Sequence, residues 1–374
     1  MTSNQRQIAI VVLGLAVLVV VLLLATRGPT PTDRPGSTPT ASTGAPTSGE
    51  PSEGASQQPS TGESDGPSQE PVALDVGLGF IPSVQFAPFY LADQAGYYRE
   101  AGLDVTFRHG TDYDVVALVG QGELDLGLAD GTSVIPAVSQ GFPIKYVATI
   151  YGRFPAIVFA KASSGIETAA DLEGKKLGIP GRFGSSWIML QALLASADLT
   201  PDDLEIVEYP DFGQGAAVTQ GAVDAATGFA NNEPVQLELT GEDVTILRVD
   251  EITPLPGNGL IVGTSTLESK ADAITGFIAA TLRAMEEIAE DPDVGLDAAI
   301  VAVPELESAR DVQAAILEAT IEVWRGPVQQ ERGLGAIDPA DWEQSIAYLE
   351  TLDLVPNPVT VDDVIEAGLL PSPE

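Results

Sequence analysis

The chain has 374 residues, enough for about two domains, and its 54 acidic against 17 basic side chains leave a net charge of −37. So acidic a surface excludes nucleic acid as a partner, because phosphates need basic groups. The absence of cysteine removes disulfides, thiol nucleophiles and cysteine-based metal sites, and one histidine, His109, leaves little for acid–base chemistry.

Ile8 to Ala25 is an uninterrupted apolar run of 18 residues, just long enough to cross a bilayer as a helix. Residues 1–27 are therefore expected to be an N-terminal transmembrane anchor. A cleaved signal segment is the alternative, although the run is long for one and Thr26-Arg27-Gly28 offers no small-x-small cleavage site. Without a cysteine, an acylated lipoprotein anchor is excluded. Residues 28–71 contain no Leu, Ile, Val, Met or aromatic side chain and are dominated by Ser, Thr, Pro, Gly and Glu. They cannot bury a core and are expected to form a disordered tether with a mean span on the order of 35 to 40 Å. Anchor and tether together predict a location on the extracytoplasmic face of the cell membrane, since long acidic segments translocate regardless of charge.

From Val72 the composition becomes that of an α/β protein. Val76, Leu78 and Phe80 alternate with Asp75, Gly77 and Gly79, the period-two pattern of a strand with one buried face. After Pro88, Phe89, Leu91, Ala92 and Ala95 recur at helical spacing. The turn between them carries Gln85, Phe86 and Tyr90, more aromatic surface than a solvated loop needs. In an open α/β sheet the loop leaving the carboxyl end of a strand is where ligands sit.

This opening, the GYYREAGLDV that follows it (96–105), the GELDLGLADG of 122–131 and the DLEGKKLGIPG of 171–181 resemble the THI5-like (NMT1 or SsuA-like) substrate-binding proteins of ABC importers. The resemblance runs from residue 73 to about 350. It implies a periplasmic-binding-protein-like fold of type II, two α/β lobes joined by a hinge. Lobe 1 is expected from 72–160 plus 260–374 and lobe 2 from 161–259, with the hinge near Phe159 to Ser163.

The candidate ligand-binding residues fall in five clusters, each with an ordinary structural explanation beside it. Gln85, Phe86 and Tyr90 line the aromatic turn. Asp130 and Thr132 close the strand 124–129 and could equally cap the helix beginning near Val134. Tyr151, Arg153 and Phe154 form an aromatic wall with a cation able to stack or donate, unless the rings are core. Arg182, Phe183, Ser185 and Trp187 belong to a glycine-rich turn feeding a helix, which lacks the spacing of a Walker A or dinucleotide loop. Asn231, Asn232 and Glu233 follow the strand 222–229; Glu233 suits a ligand rich in N–H donors, or caps the next helix. Trp324 and Trp342, on later helices, read as packing residues.

No G-x-S-x-G elbow, EF-hand spacing or His/Cys ligand set is present, so no catalytic residue, cofactor or metal is expected. The family also contains fungal synthases of the thiamine pyrimidine, which the resemblance associates with a cysteine-rich iron-binding motif. A chain without cysteine is a poor fit to that activity. The resemblance therefore implies a non-enzymatic, monomeric binding protein that passes a small molecule to an ABC permease and its ATPase. The opening FIPSVQFAPFY is most similar to members that bind riboflavin, and next to those that bind thiamine pyrimidine precursors. Sulfonate and nitrate remain alternatives, though they call for more cationic donors.

Overall fold

The computed structural model describes residues 70–110 and 112–370; the expected anchor and nearly all of the expected tether lie outside the described residues. No helix among the described residues is long and apolar enough to cross a membrane.

Strand and helix alternate along the chain, beginning with the strand and helix that the hydrophobic periodicities predict. β1 (Val72–Leu78) leads into α1 (Ala87–Gln94), β2 (Leu103–His109) into α2 (Asp112–Gln121), and β3 (Leu126–Ala129) into α3 (Gly131–Ser139). β4 (Ile144–Thr149) is followed by β5 (Ala156–Lys161). Then come β6 (Lys176–Ile179), α4 (Gly184–Ala195), β7 (Glu205–Glu208), α5 (Gln214–Gln220), β8 (Ala225–Phe229), α6 (Glu233–Glu238) and β9 (Val244–Arg248). β10 (Gly259–Gly263) precedes four long helices: α7 (Thr264–Glu290), α8 (Pro292–Ala302), α9 (Arg310–Trp324) and α10 (Pro339–Thr351).

The strands form two five-stranded sheets, ordered β2-β1-β3-β10-β4 and β7-β6-β8-β5-β9. Each is built the same way: three parallel strands, then one antiparallel strand donated across the lobe boundary. β10 is that strand in the first sheet and β5 in the second. This moves the crossing from the expected 159–163 to residues 150–155, because β5 pairs with β8 and β9 rather than with the first sheet. Ala156 to Ala160 are all buried, and a strand buried on both faces has no alternation to reveal its sheet.

Lobe 1 is packed by α1, α7, α8 and α9 against one face of its sheet, with Leu74, Val76, Leu78, Phe89 and Phe277 at most 1% exposed. Each such side chain contributes about 1.5–3 kcal/mol of burial. Tyr98 and Phe277 stack with centroids 4.8 Å apart, and Trp324 and Trp342 are core residues as expected. α7 bends at Lys270, which leaves helical geometry (φ −131°). Its Nζ there reaches Asp125 Oδ1 at 2.8 Å and the Ala73 carbonyl at 3.0 Å, tying the helix to the first sheet.

Candidate functional site

A cleft of about 940 Å3, its open mouth included, lies between the lobes. Its walls come from the carboxyl ends of strands in both sheets, beside the points where strand order reverses. Gly79, Phe80, Gln85 and Phe86 follow β1; Pro180, Phe183, Ser185 and Ser186 follow β6. Asn232 and Glu233 follow β8, Phe212 and Gln214 follow β7, and Tyr151 and Asn258 sit on the two crossings. Such switch points leave a crevice because neighbouring connections run to opposite sides of the sheet.

The walls are aromatic, and their polar groups include two unpartnered amide oxygens and a buried carboxylate. Phe80, Phe86, Tyr151, Phe183, Phe212 and Phe229 supply rings. Gln214 and Asn258 are 1% and 4% exposed, and their side-chain oxygens have no hydrogen-bond partner among the described residues. Buried amide oxygens ordinarily find donors, so these two favour a ligand bearing N–H or O–H groups. Glu233 Oε2 accepts from the Phe229 backbone N–H at 2.8 Å. Burial pushes its carboxyl above the ordinary carboxylate range, while the backbone N–H groups of Phe229 and of Glu233 itself draw it back. The side chain fits because Gly228 and Gly215 carry no Cβ: an added one would come within 2.8 Å of Glu233 Oε2 at Gly228, and 3.1 Å of its Cγ at Gly215. Glu233 also opens α6, so the capping explanation and the cleft position hold together.

No Lys, Arg or His is among the lining residues. The backbone N–H groups at the start of α4 add donors, since the N-cap residue Phe183 offers them no side-chain hydrogen bond. No group of three or more His, Cys, Asp or Glu among the described residues could hold a metal ion.

Of the expected ligand-binding residues, the cleft brings together Gln85, Phe86, Tyr151, Phe183, Ser185, Asn232 and Glu233. The others lie elsewhere, each for a visible reason. Asn231 is wholly buried behind the wall, where its Nδ2 donates to Thr320 Oγ1 at 2.9 Å and, at longer range, to Gln85 Oε1 (3.3 Å) and the Tyr151 hydroxyl (3.4 Å). Tyr90 is buried with its hydroxyl 3.1 Å from His109 Nε2. Asp130 is buried as the N-cap of α3, its carboxylate accepting from the Thr132 N–H and hydroxyl and the Ser133 N–H; burial pushes its carboxyl up. Thr132 is buried with it. Phe154 is core in lobe 2, and Arg153 is exposed outside the cleft. Arg182 pairs with Glu208 at 3.3 Å and lies over the half-buried Trp187 ring at 5.2 Å, which holds the cation on the outer surface.

Phe80, Phe212, Gln214 and Asn258 are lining residues that local pattern did not single out. Gln214 looks like an ordinary helix residue and Asn258 like part of a coil before β10. The signal available was positional, since Phe212 and Gln214 follow a parallel strand just as Phe86 does.

Comparison with known proteins agrees with this architecture. Residues 83–294 match the family described as NMT1/THI5 like, over half of the chain. The chain belongs to the NMT1/THI5-like family. Within reach of it is the riboflavin-binding protein RibY of Chloroflexus aurantiacus, 31% identical over 96% of this chain and 97% of that one. A 4-amino-5-hydroxymethyl-2-methylpyrimidine phosphate synthase of Saccharomyces cerevisiae is 28% identical over 58% of this chain and 66% of that one. Among solved structures, the periplasmic aliphatic sulphonate binding protein SsuA of Escherichia coli superposes with a TM-score of 0.61 at 20% identity, covering 79% of this chain and 97% of that chain. Like SsuA, this NMT1/THI5-like protein has the bilobed α/β fold that the resemblance implied.

Proposed function

We propose that this protein captures riboflavin between its lobes and hands it to an ABC permease at the outer face of the membrane. The observation that carries the reading is the composition of the cleft: six aromatic rings, unpartnered amide oxygens and a desolvated carboxylate, without a cationic side chain. Such walls suit an uncharged planar ring with N–H and O–H donors, and offer no counter-charge to a sulfonate or nitrate. The full-length likeness to a riboflavin-binding protein points the same way.

Closure by hinge motion about the crossings would sequester the ligand, whose binding energy favours the closed state. The apolar run 8–25 would hold the protein at the membrane through the polar segment 28–71. A synthase activity is disfavoured on chemical grounds, because the chain has no cysteine for the iron-binding motif implied for those enzymes. His109 is itself engaged with Tyr90 and the Phe80 carbonyl.

The test is titration of the full chain, in mild detergent, with riboflavin and separately with the aminopyrimidine precursor of thiamine. Flavin fluorescence and the melting temperature are followed together. Saturable quenching with a rise in melting temperature for riboflavin supports the reading, because a ligand bound by the native state alone must stabilise it. A response to the pyrimidine or to an alkanesulfonate, with none to riboflavin, refutes it.

A further inference from the structure

Phe80 leaves β1 in lobe 1 and Phe212 precedes α5 in lobe 2, yet their rings meet across the cleft. The centroids are 5.2 Å apart with planes at 86°, an edge-to-face contact. Of the aromatic pairs found among the described residues, this is the one that joins the two lobes. Both residues line the cleft.

The two sides are held differently. Phe80 sits on a fixed base: its carbonyl lies 3.0 Å from His109 Nδ1, and His109 Nε2 lies 3.1 Å from the Tyr90 hydroxyl. Phe212 sits on a turn closed by its own N–H to the Tyr209 carbonyl at 3.0 Å. Its φ is +59°, a left-handed conformation that the Cβ of a non-glycine residue opposes. The neighbouring position is Gly213, so a residue suited to that backbone was one place away. The strained geometry aims a ring that is 37% exposed at the mouth of the cleft. Backbone strain kept for such a placement is characteristic of ligand clamps.

We propose that Phe80 and Phe212 are a pair of jaws that read the planar ring of the ligand, with Phe212 a specificity-determining residue. This rests on the proposed capture of a planar heterocycle. The jaws meet edge to face across the cleft. A planar ring entering between them exchanges that single edge contact for stacking on both phenyl groups, which requires the jaws to part and their planes to turn toward parallel, so occupancy by a ring is coupled to the spacing of the lobes.

Phe212→Gly and Phe212→Leu test this in the full chain. Phe212→Gly removes the ring and also relieves the backbone. The jaw therefore requires riboflavin affinity to fall at least tenfold while the ligand-free melting temperature is unchanged or higher. Phe212→Leu keeps bulk without an aromatic face and should lose affinity similarly. Unchanged affinity in Phe212→Gly overturns the proposal while leaving riboflavin capture standing, as does a melting temperature that falls with the affinity, which marks Phe212 as merely structural. A second measurement does not depend on the cargo. The chain has no cysteine, so Glu123→Cys in lobe 1 and Asp202→Cys in lobe 2 allow spin labels to report the inter-lobe distance. Removal of the contact should lengthen or broaden that distance in ligand-free Phe212→Gly. An unchanged distribution overturns the contact between the jaws, whichever ligand the wild type takes, and failure of the wild type to bind riboflavin is a separate result that defeats the functional reading.

Discussion

Glu233→Gln should weaken ligand capture and stabilise the ligand-free protein at neutral pH. The carboxylate lines the cleft with local backbone donors, that of Phe229 at 2.8 Å, and no cationic side chain among the lining residues. Burial raises its folded-state value above that of the unfolded chain, so the folded protein holds the proton more tightly than the unfolded one. The destabilisation is absent below the unfolded value, near pH 4, develops as pH rises towards the folded value, and is complete above it. Glutamine keeps an oxygen for the Phe229 N–H and brings no charge. Wild type should therefore lose melting temperature relative to Glu233→Gln as pH rises from about 4 to 7. With ligand, the comparison reverses, because a hydrogen bond to a charged acceptor is worth about 1.5–3 kcal/mol. Losing that charge should raise the dissociation constant about 10- to 150-fold, measured by calorimetric titration at pH 7 alongside melts across the pH series. An affinity within about twofold of wild type, or a variant less stable than wild type at pH 7, would refute the reasoning.

Gly228→Ala should mimic part of this loss, since its Cβ would come within 2.8 Å of Glu233 Oε2 and 2.9 Å of Phe159 Cε1; overpacking of about 1–3 kcal/mol is expected in denaturant titrations, with weaker binding. Asn231→Ala removes the amide that joins Thr320 to Gln85 and Tyr151, and should cost about 1–3 kcal/mol of stability by leaving buried polar groups unpaired. It should weaken binding as well, because Gln85 and Tyr151 are wall residues, and calorimetry beside the melts reads both effects. Asp130→Ala should lose about 0.5–2 kcal/mol with the α3 cap, whereas Asp130→Asn keeps the cap and removes the buried ionisable carboxyl that desolvation pushes up. Its melting temperature should match or exceed wild type at pH 7.

Much of the candidate cleft's lining was legible because β–loop–α units announce themselves. Alternation through Phe80 followed by helical spacing from Pro88 located the turn that carries Gln85 and Phe86. The same grammar located Phe183 and Ser185 after β6 and Glu233 after β8. What failed was the choice between adjacent residues. Asn231 and Asn232 are neighbours of one type, but one is sealed against Thr320 and the other lines the cleft. Tyr90 and Phe86 share one turn and helix, and only Phe86 reaches the cleft.

The sequence by itself determined the order of strands and helices, the acidic surface, the absence of thiol chemistry and the loops from which a site could be built. These are local properties, decided by side-chain period, capping and charge over a few residues. The tertiary structure alone decided that β5 belongs to the second sheet, that Arg153 and Arg182 lie outside the cleft, and that Phe80 meets Phe212. Those outcomes depend on pairings between segments far apart in the chain. Periodicity states which residues share a face, while the closing of the chain decides what that face meets.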